Sequence, residues 1–371
     1  MSRLDELIEG LCPDGVEFRP LEQCCVILDN KRKPVTKGAR EEGEYPYYGA
    51  NGIQDYVSGY IFDGTFVLVG EDGSVVTPNG NPVVTWAEGK IWVNNHAHII
   101  AEKDGILLRY LFHYIQTINV KPLIHGNIPK LTGGDFKALE IPVPPLEVQR
   151  EIVRILDNFT ELTAELTAEL TARKQQYGYY RSTLFKYGDD VQTVSLENIS
   201  ENCDSQRRPV TKGDRTAGKY PYYGASGIVD YVDDYIFEGD YLLISEDGAN
   251  LLARVTPIAF PITGKNWVNN HAHILKFKDW YDQRYVEIYL NGIDLSKYIS
   301  GAAQPKLNQK NLNSIPIPYP SREDRVRTVE ILDKFERLCN DINDGLPAEI
   351  EARQKQYEYY RDKLLSFKEK Q

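Results

Sequence analysis

The chain has 371 residues, 42% hydrophobic and 26% charged, an ordinary composition for a soluble globular protein and enough length for two or three folded units. Its 54 acidic residues outweigh 43 basic ones, for a net charge of −11, which counts against a chain that holds nucleic acid unaided, since phosphate attraction dominates such binding. No apolar run approaches membrane-spanning length, the acidic start MSRLDELIEGL is not a secretory leader, and five cysteines without framework spacing fit a reducing cytoplasm.

In chain order, residues 1–20 read as a short helix and a turn at Cys12-Pro13-Asp14-Gly15. Residues 21–142 form a first globular domain. Short apolar runs alternate there with Gly turns: Tyr60 to Gly64, Phe66 to Val69, Glu71-Asp72-Gly73, Val83 to Trp86, Ile91 to Val93. This predicts mainly strand, with a helix over Leu107 to Ile118. The proline-rich exit Ile141 to Pro145 then feeds a long helix, residues 143–187, because proline is welcome in a first helical turn and nowhere later. At 1.5 Å per residue its roughly 40 residues reach about 60 Å. Its centre, Thr160 to Ala172, reads TELTAELTAELTA, a tandem Thr-Ala-Glu-Leu repeat of strong helix formers. Leu162, Leu166 and Leu170 recur every fourth residue as one apolar row, and a step of four overshoots the 3.6 period, so the row drifts round the axis.

The chain then repeats itself. Pro34 to Val57 and Pro209 to Val232 match at 18 of 24 positions with an offset of 175, and Trp92 to Ile99 (WVNNHAHI) recurs unchanged at Trp267 to Ile274. Residues 188–317 are therefore a second copy of the first domain, with Tyr281 to Leu290 as its helix. Residues 318–371 form a second helical region, beginning near Arg322 and broken at 344–347, where Gly345 ends one helix and Pro347 starts the next. ARKQQYGYYR at Ala172 returns as ARQKQYEYYR at Ala352. Two one-faced helices of common origin will pack on each other. The expected fold is α+β: two duplicated, mainly-β domains with some helix, separated by two long helical regions that form an antiparallel coiled coil.

This arrangement resembles the specificity subunit of type I restriction-modification systems. The likeness covers essentially the whole chain, carried by LDELIEGLCPDGVEF, IPVPPLEVQREIVRILDNF, the Thr-Ala-Glu-Leu spacer, RKQQYGYYR and GLPAEIEARQKQYEYYRDKLLSF. It implies that 21–142 and 188–317 are target-recognition domains, each reading half of a bipartite double-stranded DNA target. It implies that the coiled coil sets the spacer and docks two methyltransferase subunits, joined by restriction subunits. It implies a cytoplasmic, non-catalytic chain without a cofactor of its own, S-adenosylmethionine, ATP and magnesium belonging to the partners. The rivals are a duplicated coiled-coil adaptor that binds other proteins, and a stand-alone enzyme with a histidine-based site.

The residues themselves agree with an absence of catalysis. There is no Asn-Pro-Pro-Tyr methyl-transfer motif, and Gly213 to Tyr220 puts Tyr where a phosphate loop needs Ser or Thr. His96/His98 and His271/His273 have zinc-compatible spacing, but no further ligand in the repeated word completes a set. The basic cluster Lys31, Arg32, Lys33, Lys37, Arg40 has a counterpart in Arg207, Arg208, Lys212, Arg215, Lys219; its recurrence in an acidic protein points to phosphate contact. Asn94, Asn95, His96, Asn269, Asn270 and His271 read either as base contacts or as satisfied structural polar groups. Tyr47, Tyr48, Tyr222 and Tyr223 are either core strand or groove-facing. Lys130, Lys306 and the Glu71-Asp72 and Glu246-Asp247 turns are weaker candidates.

Overall fold

The strand Phe62–Gly70 alternates its side chains with period two. Val67 and Val69 join one apolar cluster with Leu108, Leu111, Val148, Ile152 and Leu156 of the helices. Phe66 and Leu68 join a second with Tyr48, Ile91 and Ile99 of neighbouring strands. Both faces of this strand are thus buried, which is why it reads as an unbroken apolar run. The computed structural model describes residues 3–73, 75–301 and 304–370. It divides into two units, Met1–Leu166 with Glu349–Gln371, and Thr167–Ala348.

In the first unit a six-stranded sheet runs Val26–Ile27, Ala97–Ala101, Phe62–Gly70, Val84–Val93, Glu42–Gly49, Gly52–Val57. All pairings are antiparallel except Glu42–Gly49 with Val84–Val93, where Tyr47 faces Trp92 and Tyr48 faces Val93. The last two strands form a hairpin closed at Gly49 and Gly52, the latter at φ +102°. The sequence predicts separate short runs at Tyr60 to Gly64 and Phe66 to Val69, and at Val83 to Trp86 and Ile91 to Val93. The structure joins them into two long strands, because Gly64 pairs with Gly89 and both hold positive φ, so the ladder continues through the kink. In the second unit the same path is interrupted at Gly239 and Gly264, leaving two four-stranded sheets.

Entry and exit strands pair in each unit. Glu17–Pro20 lies antiparallel to Glu140–Val143, and Thr193–Ser195 to Pro316–Pro318. The helices follow. The N-terminal helix is Arg3–Leu11, the domain helices are Leu108–Ile115 and Trp280–Gly292, and the central helix is Leu146–Thr183. The last two helices are Arg322–Asn340 and Leu346–Leu364. The break between them needs Gly345: a Cβ there would sit 2.6 Å from the Asp341 carbonyl oxygen. The central helix stops four residues short of Tyr187 because Leu184 and Phe185 turn into the second unit's core.

Each unit builds its helical layer from two segments distant in sequence. In the first, Val148, Ile152 and Leu156 of the central helix pack with Tyr357, Leu364 and Leu365. In the second, Val329 and Leu332 pack with Tyr177, Leu184 and Phe185. One ring pair marks the equivalence: Phe159–Tyr360 at 5.3 Å in the first unit and Phe335–Tyr180 at 5.2 Å in the second. In the second unit Tyr180 lies against Phe335 while Lys174 and Arg173 lie beside Cys339, so the two helices run antiparallel there. In the first unit the chain end also returns to the N-terminal segment, with Val16 N–H donating to Lys368 O at 2.8 Å. Of the leucine row, Leu166 and Leu170 are half-buried but Leu162 is 45% exposed, the outcome of the 40° drift per repeat.

Candidate functional site

In both units the repeated words converge on one framework of charges. Asp29 sits in the 3-10 turn Asp29–Lys31 that ends the edge strand. Its Oδ1 accepts from Ile99 N–H at 2.9 Å and its Oδ2 meets His98 Nδ1 at 2.6 Å. The other ring nitrogen of His98 lies 3.0 Å from Leu131 O, so the ring is clamped at both ends. Arg32 donates to Glu71 Oε2 and to Ala97 O, each at 2.6 Å, and Lys130 Nζ lies 3.0 Å from Glu71 Oε1. The second unit repeats every contact. Asp204 meets His273 at 2.6 Å, Arg207 donates to Glu246 at 2.6 Å and to Ala272 O at 2.7 Å, and Lys306 reaches Glu246 at 3.0 Å.

Burial works against ionised Asp29 and Glu71, but hydrogen bonds from His98 to the first, and from Arg32 and Lys130 to the second, hold both carboxyls below their ordinary values. Asp204 and Glu246 are held down likewise. The acidic and histidine ligand atoms of each cluster lie within 4.8 Å of one another, the geometry of a metal site. Their negative charge is already met by a guanidinium and an ammonium, which a divalent ion would have to displace. Only the second histidine of each His-Ala-His word joins its cluster, with two engaged carboxylates, while His96 and His271 stand outside it on Asp72 and Asp247.

The framework sorts the predicted phosphate contacts. Arg32 and Arg207 are inside it, with side chains only 12% and 13% exposed. Arg40 and Arg215 are also occupied: they donate to Val35 O and Val210 O, pair with Asp55 and Asp230 at 3.1 Å, and lie over the Tyr47 and Tyr222 rings. These four arginines brace the loop. Lys31, Lys33 and Lys37 in the first unit, and Arg208, Lys212 and Lys219 in the second, are exposed and form no ion pair among the described residues. Trp92 Nε1–H donates to Lys33 O and Trp267 Nε1–H to Arg208 O, both at 2.6 Å, which fixes the backbone from which those cations project.

The predicted base-reading residues divide too. Tyr47 and Tyr222 are 1% exposed, their hydroxyls bonded to the backbone of Val35 and Val210, so they are core. Tyr48 is buried and Tyr223 half-buried. Asn94 and Asn269 are buried, whereas Asn95, His96, Asn270 and His271 are exposed. His96 Nδ1 is held by Asp72 at 2.5 Å and His271 Nδ1 by Asp247 at 2.8 Å, which orients both imidazoles at the surface. The Glu71-Asp72 and Glu246-Asp247 turns thereby serve as supports. Sequence reasoning passed over the hairpin tip: Ile53, Gln54 and Tyr56, and Ile228, Val229 and Tyr231, form an outward apolar and aromatic face in each unit. Period-two alternation could not show it, because a register shift opposite Tyr47–Tyr48 and Tyr222–Tyr223 lets the adjacent Ile53 and Gln54, and Ile228 and Val229, all be exposed. Asp29 and Asp204 were also missed, lying outside the matched words.

No described helix is long and apolar enough to cross a membrane. The profile of the type I restriction modification DNA specificity domain matches residues 13–173 and again 188–352. A putative type I restriction enzyme specificity subunit of Haemophilus influenzae is 36% identical over 98% of both chains. The EcoR124I/EcoR124II specificity subunit of Escherichia coli is 34% identical over 72% of each. Among solved structures, the type I restriction-modification S subunit of M. genitalium superposes with a TM-score of 0.59 at 16% identity, covering 95% of this chain and 96% of that one.

Proposed function

The chain belongs to the type I restriction modification DNA specificity family, and from that premise we propose that each of its units reads one half of a bipartite double-stranded DNA target. The observation that supports this most is the repetition of one braced surface: three unpaired cations and an oriented histidine beside an exposed hairpin, built twice from the same words. Cations on a fixed loop suit phosphates, which set register, and the hairpin suits the major groove, which admits a two-stranded ribbon. Lys31, Lys33 and Lys37, and Arg208, Lys212 and Lys219, contact phosphate. His96 and His271, with Asn95 and Asn270, face the groove edges.

The chain acts as the recognition subunit and leaves chemistry to its partners. It assembles with two methyltransferase subunits that bring S-adenosylmethionine, and restriction subunits using ATP and magnesium join them, in the cytoplasm. Residues 21–142 and 188–317 are the target-recognition domains, and the helical regions 143–187 and 318–371 set the spacer and dock the methyltransferases. The paired guanidinium and ammonium in each carboxylate–histidine cluster favour a chain without a metal of its own. The net charge of −11 requires help with phosphate. The isolated chain should therefore bind DNA weakly, and addition of methyltransferase subunits should give tight, sequence-specific, salt-sensitive binding. Equal nanomolar affinity with and without the partner would refute the division of labour.

A further inference from the structure

Asn94 and Asn269 occupy the same turn, one in each unit. The Oδ1 of each accepts a hydrogen bond at 2.8 Å from a backbone N–H, that of His96 or His271. An N–H must face the oxygen, so this bond fixes which end of the amide is which. The Nδ2 ends point to the hairpin. In the first unit Asn94 Nδ2 donates to Gln54 Oε1 at 3.2 Å. In the second the equivalent position holds Val229, which cannot accept. A Cβ built on Gly224 would lie 3.0 Å from Val229 Cγ1 and 3.5 Å from Asn269 Nδ2, so the two side chains share one spot. Among the described residues Asn269 Nδ2 has no hydrogen-bond partner, although Asn269 is 6% exposed.

Asn269 Nδ2 itself still reaches solvent, so water serves it until a ligand acceptor takes that place. Gln54 is exposed and Val229 is 56% exposed, each within the outward face of its hairpin. The framework around this spot is the same in both units; the residue at the spot is not. The first unit offers a glutamine amide whose Oε1 is anchored by Asn94 and whose Nε2 is directed by Gly49, where no side chain intervenes. The second offers the unpaired amide NH2 of Asn269 beside the two methyl groups of Val229.

We propose that Gln54 and Val229 with Asn269 are specificity-determining positions, through which the two units demand different bases at equivalent places in their half-sites. An anchored glutamine amide, one donor and one spare lone pair, matches the N7 and N6 edge of adenine. A lone donor in an apolar setting matches thymine, whose O4 accepts while its C5 methyl packs on valine. This rests on the reading of the units as DNA-binding, and it adds which residues discriminate and between which bases.

The test uses the full chain assembled with its methyltransferase subunits and a library of randomised duplex DNA. Gln54→Val should shift the preference at one position of one half-site toward thymine by about tenfold, the scale of one bidentate base contact, and leave the other half-site unchanged. Val229→Gln should shift the matching position of the other half-site toward adenine. Gly49→Ala keeps the chemistry of Gln54 but places a methyl 2.0 Å from its Nε2, so it should blunt the same preference as Gln54→Val. Unchanged base preferences in both hairpin variants, with the wild type still selecting a bipartite target, would overturn the assignment. Equal weakening on all sequences would overturn it too. A wild-type complex that selects no sequence would instead defeat the DNA reading beneath it.

Discussion

Arg32 shows how far a residue type can mislead. In sequence it stands between two lysines in a basic run, and a phosphate contact is the natural reading. In space it is the hub of an ion network with Asp29, Glu71 and Ala97 O, repeated by Arg207. The sequence could not distinguish the two because its acidic partners lie up to 39 residues away. Lys33, next to it, is exposed and forms no ion pair among the described residues. The neighbours should therefore behave differently. Arg32→Ala leaves Glu71 to Lys130 and Asp29 to His98 alone, and should destabilise the first unit by about 3 kcal/mol, seen as a lower denaturant midpoint. A midpoint within 0.5 M of wild type, at an m-value of roughly 1–3 kcal/mol per M in urea, would contradict this. Lys33→Glu with Lys37→Glu should leave the midpoint alone and weaken binding to all DNA sequences alike, with a shallower salt dependence. Loss of selectivity without loss of affinity would speak against a phosphate role. The same network responds to pH. Asp29, Glu71, Asp204 and Glu246 have folded-state pKa values below their ordinary ones, so their contribution is present above about pH 4 and lost as pH falls through the folded values. Acid unfolding should be steep below pH 4, and Glu71→Gln should flatten it.

At the scale of elements, periodicity and punctuation carried much of the fold. The Arg322 start, the Gly345–Pro347 break and the domain helices were legible because caps and prolines are local signals. The long strands through Gly64 and Gly89 were not, since glycine reads as a turn until its cross-strand partner is known. The exchange of helical segments, with Tyr357 serving the first unit and Tyr177 the second, was also hidden: the duplicated words show common origin but not which copy packs where. If the central helix is a ruler, one added Thr-Ala-Glu-Leu unit after Leu166 lengthens it by about 6 Å and turns it by about 40°. At ~3.4 Å per base pair the gap between half-sites should grow by one or two pairs with their bases unchanged. A two-residue insertion throws the apolar face about 200° out of phase and should destroy packing. Mapping of methylated sites in cells carrying each variant reads the gap directly. An unchanged gap after the four-residue insertion would mean that the helix does not set the spacing.

For the whole molecule, the duplication was fully legible, and with it the α+β class. What the chain's words could not convey is that the most conspicuous shared residues are largely the frame: Tyr47, Trp92, Arg32 and His98 hold the loop and the hairpin in place. Positions that differ between the copies, such as Gln54 against Val229, sit on the outward face. The two half-sites should accordingly be related but not identical. The measurement that tests this account most directly is selection of targets from randomised duplex DNA by the assembled complex, with one unit altered at a time. The account predicts two short blocks at a fixed gap, with changes in residues 21–142 altering one block only and changes in 188–317 altering only the other. A single uninterrupted block, or a change in one unit that alters both blocks, would contradict it.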